Sequence, residues 1–198
     1  MCLLKTPPHR KENMKQVTLI GRGPSWKECP PETDELWGTA TCLIAEGLKD
    51  KNFTKVFTFD RNVYNGEHDI AKERNIPIVS DRGFATEPFD KIAIVKALRS
   101  SYFMPTMSYM IAYAIYLEYE RISLYGIDTG PQWWYQFGKP YITFWLGQAI
   151  ARGISVRMGV GSLQWSMQPG LDKLPRAWLK EEYEKFYPGK FNKIRIQP

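Results

Sequence analysis

Short runs of aliphatic and β-branched residues alternate with longer polar or amphipathic segments along most of the chain. The apolar runs predict strands at residues 16–20, 36–40, 55–60, 76–80, 121–128 and 154–158. Helical spacing of apolar residues predicts helices at 42–48, 67–75, 89–98, 106–119, 140–152 and 174–186. Pro105 and Gly153 are typical of a helix start and a helix end, respectively.

The order of these elements predicts the fold class. Strand, loop and helix alternate about five times with no hairpin turn signal between strands, which favours a parallel sheet with helices on both faces. We therefore predict a single Rossmann-like, doubly wound, mostly parallel α/β domain. We place it at residues 16–171, between a basic N-terminal tail (1–15) and a C-terminal helix with a basic tail (172–198).

Charge and composition narrow the partners. The 198 residues carry a net charge of +6, but residues 16–171 hold sixteen basic and sixteen acidic side chains, so the excess lies in the two tails. Solvated tails explain this distribution better than a nucleic-acid-binding face, although a nucleic-acid partner stays open. No apolar run approaches the roughly 18 residues of a membrane span, and the N-terminus lacks a secretory apolar region, so we expect a cytoplasmic protein. Three cysteines and two histidines predict neither a disulfide framework nor a His-rich metal site.

The loop that follows the first strand is the sharpest candidate for ligand binding. It contains Gly21, Arg22, Gly23 and Ser25. Two glycines permit a tight turn and close approach of backbone N–H groups to an anion, Ser25 adds a hydroxyl, and Arg22 adds positive charge. Trp26 stands where the dinucleotide fingerprint requires a third glycine, so the pattern favours nucleotide contact without a dinucleotide cofactor.

Two further positions are expected at the same edge of the sheet as this loop, where the carboxyl ends of the strands lie. Thr106 opens the longest predicted helix, whose N-terminus offers N–H groups and a partial positive charge to a phosphate, although a plain helix cap, taken alone, explains it better. Asp128 ends the strand at 121–128 and is our candidate catalytic residue, as an acid/base, a ligand of a sugar hydroxyl or a ligand of Mg²⁺; a turn cap is the alternative.

An aromatic, nearly uncharged segment at residues 131–139 is predicted to be a substrate-binding loop. Such rings stack on a base or a sugar, but buried packing under a lid or a homo-oligomer interface explains them as well. The residues assigned to this loop are Trp133, Trp134, Tyr135 and Gln136.

Two stretches carry a resemblance to known proteins. Residues 17–28 resemble the opening of bacterial lipooligosaccharide-type sialyltransferases, whose first strand leads into Gly-Asn-Gly-Pro-Ser, and residues 109–128 resemble the helix, strand and Gly-Ile-Asp turn of that group. The same skeleton is similar to small Rossmann-like proteins of bacteriophages, which share Trp37-Gly38 and the segment 145–154. More distantly, it is similar to archaeal-type 6-hydroxymethylpterin diphosphokinases.

The resemblance implies nucleotide binding by the glycine loop and phosphate contact at Thr106. The family's asparagine after its second strand falls at Thr39 or Ala40, of which we select Thr39, and the resemblance also implies Ser162 after the last strand. In this chain Arg22 replaces the asparagine between the glycines, and no histidine follows His68 to act as a general base.

Three functions follow as alternatives. The first is a nucleotide-binding transferase, most like a nucleotide-sugar-dependent glycosyltransferase. The second is a diphosphokinase-like enzyme that uses ATP, with Mg²⁺ as the one cofactor implied. The third is a phage-type protein that sequesters a nucleotide without catalysis.

Overall fold

In the computed structural model, the described part of the chain forms one sheet of seven parallel strands. The structure describes residues 14–31, 33, 35–60, 66–127 and 133–159, and for 133–137 it describes the backbone alone. The strands are β1 Gln16–Ile20, β2 Leu36–Thr39, β3 Lys55–Phe57, β4 Ile78–Ser80, β5 Glu87–Pro88, β6 Arg121–Tyr125 and β7 Ser155–Met158. Their order across the sheet is β5-β4-β3-β2-β1-β6-β7, and every neighbouring pair is parallel.

Helices connect the strands and cover both faces of the sheet. The α-helices are α1 Glu67–Glu73, α2 Lys91–Leu98, α3 Thr106–Tyr116 and α4 Trp133–Ala151, and two 3₁₀ helices lie at Pro24–Glu28 and Ala40–Leu43. None of the helices in the described part of the chain is both long enough and apolar enough to cross a membrane.

Alternate residues of each central strand enter different hydrophobic cores. Leu19 and Leu124 pack with residues of α2, α3 and α4, whereas Ile20 and Val56 pack with α1 and the 3₁₀ helix Ala40–Leu43. A parallel strand that is buried on both faces reads as a continuous apolar run, which is the pattern of residues 17–20. The prediction of a doubly wound α/β fold is therefore confirmed.

A polar network lies at the edge of the sheet where the strands begin, and it connects this edge to the first of the two cores. Glu35, just before β2, accepts hydrogen bonds from the indole Nε1 of Trp37 at 2.8 Å and from the hydroxyl of Tyr119. The Trp37 ring is fully buried and contacts Phe57 and Tyr113. Burial, together with the bond to Glu35, raises the pKa of Tyr119, so this phenol keeps its proton.

One predicted helix is contradicted by the structure, one strand was not predicted, and one predicted helix is untested. The helix predicted at 42–48 is wrong: the 3₁₀ helix Ala40–Leu43 gives way to turns, because Gly47 has a φ of +79° and leaves room for the Trp26 ring. Strand β5 was not predicted, since it has two residues and includes Pro88. The helix predicted at 174–186 lies outside the described residues.

The predicted loop at 131–139 is also wrong from residue 133 onward. Trp133, Trp134, Tyr135 and Gln136 lie in the first turns of α4, which extends seven residues upstream of the predicted start at Pro140. Proline at the first position of a helix is common, but the structure keeps Pro140 inside the helix at the cost of one backbone hydrogen bond. Gly138 is needed in this part of α4 because a Cβ there would lie 2.9 Å from Cγ of Pro105.

Candidate functional site

The strand order reverses between β1 and β6, and this defines the candidate site. From β1 the chain adds β2, β3, β4 and β5 on one side, then crosses back to place β6 on the other side of β1. In open parallel sheets ligands bind in the crevice at the carboxyl ends of the strands, where the order reverses. The residues that follow β1, β2 and β6 therefore meet at the ligand-facing edge.

The loop after β1 (residues 21–25, the β1 loop) is hydrogen-bonded to the turn after β6 (Gly126 and Ile127, the β6 turn). The amide of Gly21 donates to the carbonyl of Tyr125 at 2.9 Å, and the amide of Gly23 donates to the carbonyl of Gly126 at 2.8 Å. In the opposite direction, the amide of Gly126 donates to Oγ of Ser25 at 2.9 Å. These three bonds hold the two segments as one unit.

Backbone contact at this point requires glycine on both sides. A Cβ on Gly21 would lie 2.4 Å from the carbonyl oxygen of Gly126, and a Cβ on Gly126 would lie 2.3 Å from that of Gly21. Gly126 also has a φ of +66°, which L-residues rarely adopt. The glycines thus allow β1 and β6 to continue side by side past the end of the sheet.

This geometry narrows the roles of the predicted residues. The amide of Gly21 is committed to the last residue of β6 and that of Gly23 to the β6 turn, and the Ser25 hydroxyl is buried against Gly126. That Gly21, Gly23 and Ser25 bind a nucleotide stays a prediction. Their observed role is to set the shape of the β1 loop.

Arg22 is the exposed cation of the β1 loop. No carboxylate of the described residues lies within ion-pair distance of its guanidinium. The charge of Arg22 also affects Cys42, which follows β2. Burial raises the pKa of the Cys42 thiol to about 11, while hydrogen bonds from Thr39 and the charge of Arg22 act against that increase. Arg22 follows the end of β1 by two residues, so its positive charge belongs to the carboxyl edge of the sheet, where β1 and β2 lie side by side.

Hydroxyl groups lie at the end of β2. Thr39 is the last residue of that strand, and its Oγ1 lies 3.1 Å from Oγ1 of Thr41 and 3.3 Å from Sγ of Cys42. Both threonines are partly exposed, and Cys42 is buried. Sequence reasoning selected Thr39 and missed Thr41, because only the 3₁₀ turn at Ala40–Leu43 brings the two hydroxyls together.

The N-terminus of α3 lies beside the β1 loop. The side chain of Met107 is within 3.8 Å of the point where a Gly21 Cβ would stand. Thr106 is partly exposed as the first residue of α3, and no side chain caps this helix. The helix start is instead fixed by Ser108, whose Oγ accepts from the amide of Met104 at 3.0 Å. An uncapped helix start presents N–H groups and positive potential to an anion.

Lys139 is a second cation near this helix start that sequence reasoning did not select. It follows Gly138, the residue of α4 that packs on Pro105. Burial lowers the pKa of its ammonium group, and within the described residues no carboxylate pairs with it. Among the described residues, neither Arg22 nor Lys139 has a carboxylate within ion-pair distance.

The remaining predicted site residues do not enter this geometry. Asp128 and Ser162 lie outside the described residues. Trp133, Trp134, Tyr135 and Gln136 belong to the start of α4, at the same edge of the sheet, and their side chains are not among the described ones. Among the described residues, no three His, Cys, Asp or Glu side chains are grouped closely enough to hold a metal ion.

Comparison with known proteins finds similar solved structures but no match in sequence. No protein-family model matches it, and no curated protein is similar to it in sequence. Among solved structures it is similar to thiamine pyrophosphokinase from Bacillus subtilis, with 14% identity and a TM-score of 0.46 over 73% of this chain. The chain spans 60% of the length of that enzyme.

The sialyltransferase CstII from Campylobacter jejuni is similar in two solved complexes. The complex with cytidine-5'-monophosphate gives 15% identity and a TM-score of 0.44, covering 80% of this chain and 87% of the enzyme. The complex with CMP-3FNeuAc gives 16% identity and a TM-score of 0.44, covering 77% and 84%. At these identities the likeness concerns the α/β fold alone.

Proposed function

We propose that the protein binds a nucleotide in the crevice at the carboxyl ends of β1, β2 and β6 and transfers a group from it, as a nucleotide-sugar-dependent transferase does. The observation that carries the proposal is the place of Arg22. An exposed arginine without a carboxylate partner among the described residues stands where the strand order reverses, next to the uncapped start of α3.

Each neighbouring group suits one part of a nucleotide. Arg22 and the amides of Thr106 and Met107 at the start of α3 are donors for phosphate oxygens, and charge-assisted bonds of this kind are the stronger class. Thr39 and Thr41 suit sugar hydroxyls. The aromatic start of α4 suits an acceptor or a base, because rings offer apolar faces.

The same arrangement favours group transfer. When the bond to the phosphate oxygen breaks, negative charge develops on the departing nucleotide, and preorganised donors stabilise that charge in the transition state. In this proposal Asp128, which follows the β6 turn in the sequence, takes a proton from the acceptor hydroxyl.

Removal of the Arg22 charge tests binding. In calorimetric titrations with ribonucleoside mono- and diphosphates, we expect Arg22→Ala to weaken binding by about ten-fold or more, the size of one charge-assisted hydrogen bond. Arg152→Ala, which removes an exposed arginine near the C-terminal end of α4, is the matched control and should bind like the wild type. Equal affinities of the two variants would count against the site.

Removal of the Asp128 carboxylate tests transfer. With nucleotide sugars and candidate acceptor sugars, with and without Mg²⁺, we expect Asp128→Asn to lower the release of nucleoside phosphate by about 100-fold or more while nucleotide affinity changes little. Asp69→Asn, an exposed acid on α1, serves as the control. Tight stoichiometric binding by the wild type with no release for any donor would contradict transfer and leave binding alone.

A further inference from the structure

A chain of three hydrogen bonds leads from the ligand-facing edge at β2 into strand β1. Cys42 donates its thiol hydrogen to the carbonyl oxygen of Ile20, with a sulfur–oxygen distance of 3.7 Å. Oγ1 of Thr39 lies 3.3 Å from Sγ of Cys42, and Oγ1 of Thr41 lies 3.1 Å from Oγ1 of Thr39. We call these three side chains the threonine relay.

The direction of the relay follows from counting hydrogens. A thiol and a hydroxyl carry one hydrogen each, and a carbonyl oxygen accepts only. Because Cys42 uses its hydrogen on Ile20, Thr39 must be the donor to Sγ. Because Thr39 uses its hydrogen on Cys42, Thr41 must be the donor to Thr39. The hydroxyl hydrogen of Thr41 is therefore used on Thr39, and the lone pairs of its oxygen remain free to accept a hydrogen bond.

The inner end of the relay is stable at neutral pH. Cys42 is fully buried, and burial raises its pKa to about 11, so the thiol keeps the hydrogen on which the order depends. Thr41 itself is partly exposed two residues beyond the end of β2, and Arg22 lies two residues beyond the end of the neighbouring strand β1, whose last residue, Ile20, pairs with Gly38. The outer end of the relay is therefore an acceptor at the same edge of the sheet as Arg22.

We propose that Thr41 is an acceptor-only residue of the crevice and selects ligands that carry a hydroxyl donor close to their phosphate, which in a nucleotide is a ribose hydroxyl. Arg22 donates to the anionic part of such a ligand, and Thr41 accepts from its sugar. The inference rests on the proposed nucleotide binding and names the chemical class that the site prefers: ribonucleotides over deoxyribonucleotides.

Thr41→Val removes the acceptor and preserves the shape of the side chain. The probe is whichever of AMP, GMP, CMP and UMP binds the wild type most tightly, together with its 2′-deoxy and 3′-deoxy analogues. We expect Thr41→Val to bind the ribonucleotide about 3–10-fold more weakly, the size of one neutral hydrogen bond. For one of the two deoxy analogues, the variant and the wild type should bind equally.

Two further variants serve as controls for Thr41→Val. Thr41→Ser keeps the acceptor and should restore the preference for the ribonucleotide. Thr143→Val removes a hydroxyl from the exposed face of α4, where Thr143 donates to the carbonyl of Lys139, and should leave binding unchanged. Melting curves of all three variants establish that each is folded.

The outcomes separate the inference from the proposed function. If the wild type binds ribonucleotides and Thr41→Val binds both forms as the wild type does, the role of Thr41 is overturned and the proposed function stands. If no ribonucleotide binds the wild type, both are overturned. A wild type that prefers the 2′-deoxy and 3′-deoxy analogues to the ribonucleotide also overturns the inference.

Discussion

Gly126→Ala is expected to lower the free energy of unfolding by about 3–5 kcal/mol, because it combines backbone strain with a collision between two main chains. The φ of +66° alone costs an L-residue about 1–2 kcal/mol. The new Cβ would also stand 2.3 Å from the carbonyl oxygen of Gly21, so the β1 loop and the β6 turn must separate. This separation would weaken or break the hydrogen bonds that Gly21, Gly23 and Ser25 make across the contact.

Two other glycines of the chain supply the controls for this measurement. Gly66→Ala has the same kind of strain, at a φ of +87°, but nothing lies within 4 Å of its Cβ position, so it isolates the backbone term. Gly147→Ala lies inside α4 with open space around it and should raise stability by up to about 1 kcal/mol. Chemical unfolding of the three variants is the measurement. If Gly126→Ala costs no more than Gly66→Ala, the two loops are not held in contact.

Trp37→Ala is expected to cost about 3–5 kcal/mol of stability, the range for removing a large aromatic side chain from a core. The ring is fully buried, with ring centroids 5.2 Å from Phe57, 5.7 Å from Tyr113 and 5.3 Å from Tyr119. The change leaves a cavity between β2 and α3, and it removes one of the two hydrogen bonds that the Glu35 carboxylate accepts.

Trp37→Phe separates the two contributions. Phenylalanine keeps most of the ring contacts and loses the indole N–H, so its cost should be about 1–2 kcal/mol from the unpaired carboxylate oxygen and the smaller ring. Unfolding curves in urea measure both variants. Similar costs for the two would mean that the hydrogen bond to Glu35, and not the packing, holds this part of the sheet.

The fold was predictable because its signals are local. The run from Val17 to Ile20 reads as a strand buried on both faces, and Met107, Met110 and Ile111 follow helical spacing in α3. Parallel order followed from the alternation of strands and helices. The start of α4 was not predictable, because Pro140 is a strong signal for a helix start, whereas the reason for Gly138 lies in its contact with Pro105, 33 residues earlier.

The location of the candidate site could be predicted from the sequence, but most of the contacts between its residues could not. The residue types in the loop after the first strand indicated ligand binding at Gly21 and Arg22. That the glycine amides bind the β6 turn depends on contacts between residues about 100 positions apart, as Ser25 and Gly126 illustrate. The role of Thr41 depends on the order of hydrogens through Thr39 and Cys42, which no spacing in the sequence reveals.

The central claim is that a nucleotide binds at the carboxyl ends of β1 and β2 beside the start of α3. A titration of ¹⁵N-labelled protein with ribonucleoside phosphates, followed by amide chemical shifts, tests it most directly. The account predicts saturable shifts at Arg22, Thr41 and Thr106, and unchanged amides at the opposite edge of the sheet, at Glu35 and Glu120. Shifts confined to that opposite edge, or no saturable shift with any ribonucleotide, would contradict it.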